Sequence, residues 1–313
     1  MNTIVRIDPY SHNFFLKTVQ LVSVALIKAG IRLFTFWAGA RLYRLVRFLL
    51  NVMGFIFLRL PRWAQSEPVE VSGMPALWLN GKDIQATGTM LYVHGGGYSL
   101  GSQYTHRQIA ACVGRYCHAR VLLPLYPLAP EHPFPAAPEH ALKAYQWLLA
   151  QGCAGEDISI IGDSSGGGLS LVLLQMIRDR GMPMPRCGMF LSPWTDLTCS
   201  GRSMKSRSCA DPLLHKRLLL PFARLYAPES ELSNSMVSPF FGSLKGLPRL
   251  LFMVGSDEVL LDDSVRILEK EADMPVTVEI WEGMFHVWPL LYAYVPFFKR
   301  AFMHIARFVN DGV

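Results

Sequence analysis

The stretch Ile160-Ile-Gly-Asp-Ser-Ser-Gly-Gly-Gly-Leu-Ser170, IIGDSSGGGLS, carries the fold assignment. An apolar run enters it, two adjacent serines sit among four glycines, and the chain leaves as LVLLQMIRDR, apolar at helical spacing. A plain turn needs one or two glycines. Four of them, one before and three after Ser164 and Ser165, imply a strand and a helix forced close together at a sharp corner. Gly162-Asp-Ser164-Ser-Gly166 fits G-x-S-x-G, the strand–turn–helix elbow that pushes a serine hydroxyl outward. Ser164 is the expected nucleophile. Ser165 is its only rival, and its spacing fits the elbow less well.

Working outward, short apolar runs alternate with helical patterns. TMLYVH precedes HRQIAACVGRYC, RVLLPLY precedes APEHALKAYQWLLA, and ISIIG precedes the glycine helix. CGMFLS, RLLFMVG with DDSVRILEKEA, and VTVEIW with FKRAFMHIARFV continue the rhythm. Strands apolar throughout and separated by helices predict a mostly parallel sheet covered on both faces, an α/β architecture. Between CGMFLSPW and RLLFMVG the rhythm breaks. Residues 196–240 hold the helical PLLHKRLLLPFARLYA and no clear strand, and read as a cap insertion above the sheet's carboxyl edge.

Composition narrows the classes. Of 313 residues, 51% are hydrophobic and 17% charged, which suits a chain with a large core and excludes a disordered tail. The net charge of +6 is local. Lys17, Lys28, Arg32, Arg41, Arg44, Arg47, Arg59 and Arg62 lie between Asp8 and Glu67 with no acidic residue among them, so the remainder is slightly acidic. No aromatic-and-basic module points to nucleic acid. Six cysteines show no CxxC pair and no metal spacing, which predicts reduced thiols, a reducing cytoplasmic compartment and no metal.

A second box lies at the end of another apolar strand: Leu91-Tyr-Val-His94-Gly95-Gly96-Gly97-Tyr98. Successive glycines leave backbone N–H groups free to converge on one oxygen, as acyl transfer requires for its tetrahedral intermediate. With this box upstream of the elbow, the chain resembles the hormone-sensitive-lipase-like family of α/β-hydrolases, carboxylesterases known by their HGGG and GDSAG boxes. YVHGGGYSLGSQYTH, LYPLAPEHPFPAAPEHAL, GDSSGGG, LSPWTDL and GSDEVLLDDS resemble that family's blocks in order, over residues 68–310. The resemblance implies an α/β-hydrolase fold with a helical cap, no cofactor, and oxyanion donors at Gly96, Gly97 and Ser165. Ser165 stands where relatives usually carry alanine, but its backbone N–H is there either way. His94 is then expected to bond loop backbone.

A serine nucleophile needs a base, and in this fold the chain order is nucleophile, acid, histidine. His286 and His304 follow the elbow and the next-to-last strand. His304 sits in an amphipathic terminal helix, whereas His286, on the loop WEGMFHVW, matches the family's histidine. For the acid, counting back from LLDDS against the family's box selects Glu258. Counting forward from Leu247-Pro248 selects Asp257, and Glu258 is the preferred reading. Trp194, Leu213, Val287 and Trp288 are candidate walls of an apolar substrate pocket. The expected substrate is a short- to medium-chain acyl ester of a small apolar molecule. A lactone or N-acyl substrate on the same triad is the alternative. A non-catalytic ligand receptor, as the plant gibberellin receptors are within a similar family, is a third reading that His286 argues against.

Residues 1–62 read as helices and form the expected amino-terminal cap or membrane-surface segment, ahead of a catalytic domain at 63–313. The longest uncharged run, Phe48–Leu58, is far short of the ~20 residues that span a bilayer. A signal peptide fits poorly, with no short charged start before one apolar core. Residues 13–60 therefore offer either a cap over the site or peripheral association with the inner membrane face, with Phe34, Phe36, Trp37 and Phe48 toward the acyl region.

Overall fold

A computed structural model describes residues 2–10, 17–18, 25, 28, 43–82, 85–270 and 274–310. Nine strands form one sheet: β1 (Thr3–Ile7), β2 (Ala64–Val71), β3 (Met74–Gly81), β4 (Gly88–Val93), β5 (Ala119–Pro124), β6 (Ile158–Asp163), β7 (Cys187–Leu191), β8 (Arg249–Gly255) and β9 (Val276–Trp281). Their order is β1-β9-β8-β7-β6-β4-β5-β3-β2, antiparallel where β3 meets β2 and β5 and parallel elsewhere. Helices with described bounds are α1 (Tyr43–Phe57), α2 (Gln103–Tyr116), α3 (Ala136–Ala150), α4 (Ser164–Asp179), α5 (Ser203–Ser206), α6 (Lys216–Tyr226), α7 (Leu261–Val265) and α8 (Arg300–Asn310).

The central strands are apolar throughout because both faces are covered. Leu91 and Val93 of β4 point into one core with α3, α4 and α6, while Met90 and Tyr92 point into a second with α2 and α8. This is the expected α/β-hydrolase fold. Two elements escape the apolar pattern. β1 lies in a region read as helical, yet it pairs in parallel with β9 from Thr3↔Thr277 to Ile7↔Trp281. The β2–β3 hairpin closes the opposite edge. As an edge strand, β2 keeps most of its side chains in water and carries no apolar run. Residues 29–42, including Phe34, Phe36 and Trp37, lie outside the described set.

Parallel direction positions the site. The carboxyl ends of β4, β6, β7, β8 and β9 lie on one edge of the sheet, where such folds gather their chemistry. The loops there carry His94–Gly97, Ser164, Ser192, Glu258 and His286.

Candidate active site

β6 ends at Asp163 and α4 begins at once with Ser164, whose φ of +52° is left-handed. That conformation costs an L-residue about 1–2 kcal/mol and aims the side chain out of the corner. The neighbouring glycines hold it. A Cβ on Gly166 would overlap the Val93 carbonyl oxygen, and one on Gly168 the Trp194 carbonyl oxygen. Bare backbone at both positions lets α4 press against β4 and the loop after β7. The Trp194 N–H then donates to the Ser164 carbonyl at 2.9 Å.

His286, on the loop after β9, places Nε2 2.9 Å from Ser164 Oγ and Nδ1 3.0 Å from Glu258 Oε2. Glu258 is fully buried. Its other oxygen, Oε1, accepts from the Ser192 hydroxyl at 2.7 Å and the Gly255 N–H at 2.6 Å. A buried carboxylate with this many partners is fixed in direction. Asp257, its neighbour, faces elsewhere: it forms an ion pair with Lys28 and accepts from the Ser256 hydroxyl at 3.3 Å.

Ser192 did not stand out in the sequence. Its hydroxyl donates to Glu258 and accepts from the Val287 N–H at 3.0 Å, tying the acid to the residue after His286. The available signal was its place, directly after the apolar strand β7. Asp211 was also missed. Its Oδ1 accepts from the Leu213 and Leu214 N–H groups, and its Oδ2 from the Val259 N–H, all at 2.9 Å. Burial raises its pKa, and the nearby His286 partly opposes that. An aspartate bonding backbone two and three residues ahead is an Asx turn, legible locally, but the reach to Val259 is not.

Gly96 and Gly97 turn through positive φ, +119° and +60°, and border the cavity. Neither N–H donates to an acceptor among the described residues. Ser165 lies in the first turn of α4, where backbone N–H groups lack helical partners. Its side chain is fully buried and its Oγ accepts from the Tyr98 N–H at 3.2 Å, binding the glycine loop to the helix. The Ser165 hydroxyl is therefore turned away from the cavity that Ser164 faces. His94 stacks on Tyr126 at 4.3 Å, with Nδ1 2.9 Å from the Gly95 carbonyl. Burial, reinforced by His106, pushes its pKa down to about 3, so the ring is neutral. Asp163 accepts from Tyr92, from the Gly95 N–H and from His106. Burial alone would raise its pKa, but His106 and these donors leave it below the ordinary carboxylate value.

A cavity of about 310 Å³ opens above Ser164 and His286. Trp194, Leu213 and Val287 line it, with Leu214, Leu218 and Phe222 from the segment after β7. Trp288 does not. The left-handed φ of Val287, +46°, reverses the chain, and Trp288 is buried with its ring 5.5 Å from that of Trp281 in the second core. His304 bonds Glu279 at 2.9 Å on α8, apart from the site.

A family model described as the alpha/beta hydrolase fold matches residues 90–290. An acetyl-hydrolase of Streptomyces hygroscopicus is 44% identical over 227 residues, 72% of this chain and 76% of that protein. An esterase of Acinetobacter venetianus is 36% identical over 254 residues, covering 79% and 82%. Among solved structures, EstE5 soaked with ethyl alcohol superposes with a TM-score of 0.87 at 40% identity, over 92% of this chain and 97% of that one. An esterase from the bacterial hormone-sensitive lipase family gives 0.86 at 35%, over 94% and 98%. With its fold, its sequence boxes and these relatives in agreement, the chain belongs to the hormone-sensitive-lipase-like carboxylesterases of the α/β-hydrolase superfamily and is an ester-bond hydrolase.

Proposed function

We propose that the protein is a serine carboxylic-ester hydrolase for short- to medium-chain acyl esters of small apolar molecules, using Ser164, His286 and Glu258. The observation that carries this reading is the continuous hydrogen-bond chain from Glu258 through His286 to Ser164. Ser164 Oγ attacks the acyl carbonyl while His286 Nε2 takes its proton. The same imidazolium then protonates the leaving alkoxide. Glu258 holds the Nδ1–H tautomer and stabilises the charged ring without taking the proton itself. The N–H groups of Gly96, Gly97 and Ser165 receive the oxyanion, each donor being worth about 3 kcal/mol of barrier. Water activated by His286 releases the acid and restores the serine.

The size of the cavity supports the substrate class. About 310 Å³ is at the small end for ligand pockets, and its walls are leucine, valine, phenylalanine and tryptophan. The name of the Streptomyces relative favours acetyl as the acyl group. The test pairs fluorophosphonate labelling with a p-nitrophenyl ester series from acetate to dodecanoate. Wild type should label and prefer the acetyl to hexanoyl end, and Ser164→Ala should do neither while keeping its fold. Labelling that survives in Ser164→Ala and vanishes in Ser165→Ala would overturn the assignment.

A further inference from the structure

Helix α1 is amphipathic in the reverse sense. Two of its polar residues face the protein: Arg47 donates to the Ser99 and Ala129 carbonyls and to Glu131, and Asn51 accepts from the Ser102 hydroxyl. Gly54 seats the helix so closely on α2 that an added Cβ would lie 2.7 Å from the Tyr104 carbonyl oxygen. The outward stripe is apolar. Leu45, Phe48, Leu49, Val52, Met53 and Ile56 follow helical spacing, with Phe48 62% exposed and Phe57 beyond them 53%. A contiguous apolar stripe of this kind on a folded chain marks a surface built to be covered.

We propose that this face docks on an anionic lipid bilayer, with α1 lying in the plane of the interface. Charge selects the occupant. Of the eight cations that lie between Asp8 and Glu67, Lys17, Lys28 and Arg47 pair with Asp8, Asp257 and Glu131, while Arg44, Arg59 and Arg62 are exposed on the helix or just beyond its end. A second copy meeting this face by two-fold symmetry would set those cations against each other, whereas anionic headgroups neutralise them. No helix among the described residues is long and apolar enough to cross a membrane, so the fit is to the surface. Position gives the docking a use, resting here on the esterase reading. Val46 and Leu50 of the same helix, with Leu58, line the cavity above Ser164, so docking sets the cavity's wall against the acyl layer. Esters dissolved in lipid then reach Ser164 without crossing water.

Flotation of the full chain tests this with phosphatidylcholine vesicles, with and without phosphatidylglycerol, at low and high salt. The protein should float with the anionic vesicles and dissociate at high salt. Ser164→Ala should float equally, which separates docking from catalysis. Phe48→Asp combined with Met53→Asp should weaken binding by at least ~tenfold through lost apolar insertion and added negative charge. The double variant should keep wild-type hydrolysis of p-nitrophenyl acetate, which shows that it folds. Absence of flotation in every condition, or flotation unchanged by the double substitution, overturns the proposal. So does a solution dimer that the same substitutions dissociate while vesicles bind nothing, since the stripe then belongs to a second copy.

Discussion

Asp257 and Glu258 are consecutive carboxylates in opposite surroundings. Asp257 is partly exposed beside Lys28, and Glu258 is enclosed by Ser192, Gly255 and His286. Adjacent residues at a strand end diverge, and only one can reach the imidazole. Glu258→Gln should therefore lower kcat by about 10³–10⁴, by misorienting the ring and losing its charge partner. Asp257→Asn should cost less than about tenfold, because it weakens only a semi-exposed ion pair. Steady-state kinetics on p-nitrophenyl butyrate decide, and the reverse ranking makes Asp257 the orienter. His94 offers a residue-scale prediction about pH. In the unfolded chain it binds a proton below about 6.5, but in the fold only near pH 3. Its stabilising contribution is thus complete above pH 6.5 and is lost as pH falls toward 3. His140, lowered to about 4 by burial and Lys143, adds a slope of the same sign. His94→Asn should be less stable than wild type at pH 8 yet show a shallower fall in Tm between pH 7 and 5. Parallel Tm curves would show that this imidazole does not drive the acid sensitivity.

At the scale of elements, the segment between β7 and β8 supplies pocket walls, and one side chain fastens it to the acid loop. Asp211 holds the Leu213–Leu214 turn with one oxygen and the Val259 N–H, next to Glu258, with the other. In Asp211→Asn the side-chain NH₂ would face a donor at one of these positions. Losing one charge-assisted bond costs about 1.5–3 kcal/mol, enough for a ten- to hundredfold fall in kcat/KM. Both KM and kcat should worsen, because wall and acid move together; a change in Tm alone would reduce Asp211 to a structural staple. The elements most legible in the sequence are those whose periodicity reports burial. Strands β4 to β9 are almost wholly buried and mostly apolar, and the elbow glycines are demanded by backbone contact. What escaped is what lacks that signature. β1 and β2 are exposed edges, Ser192 acts on a residue 66 positions away, and Trp288 is turned into the core by a left-handed Val287 that no apolar pattern announces.

Across the whole molecule, the start of the chain braces the loop that carries His286. β1 covers the open edge of β9, and the Ile7 carbonyl accepts from the Glu282 N–H just beyond that strand. Arg300 at the head of α8 donates to the Pro9 carbonyl at 2.8 Å, and buried Tyr10 packs near Gly283. The Gly283 N–H in turn donates to Ser256 beside the acid loop. The exposed Arg6–Glu282 pair adds little in water. The brace therefore works through backbone bonds and the cover over an edge that would otherwise invite pairing with other chains. Deleting residues 2–9 should lower Tm by more than about 5 °C, the equivalent of roughly 3 kcal/mol for a chain of this size. Well below the new Tm, kcat should still fall severalfold while fluorophosphonate labelling of Ser164 slows in parallel, since both need His286 held at Nε2 distance. If the truncated chain keeps the full-length kcat and labelling rate and loses only Tm, β1 protects the sheet edge and has no part in holding the histidine loop.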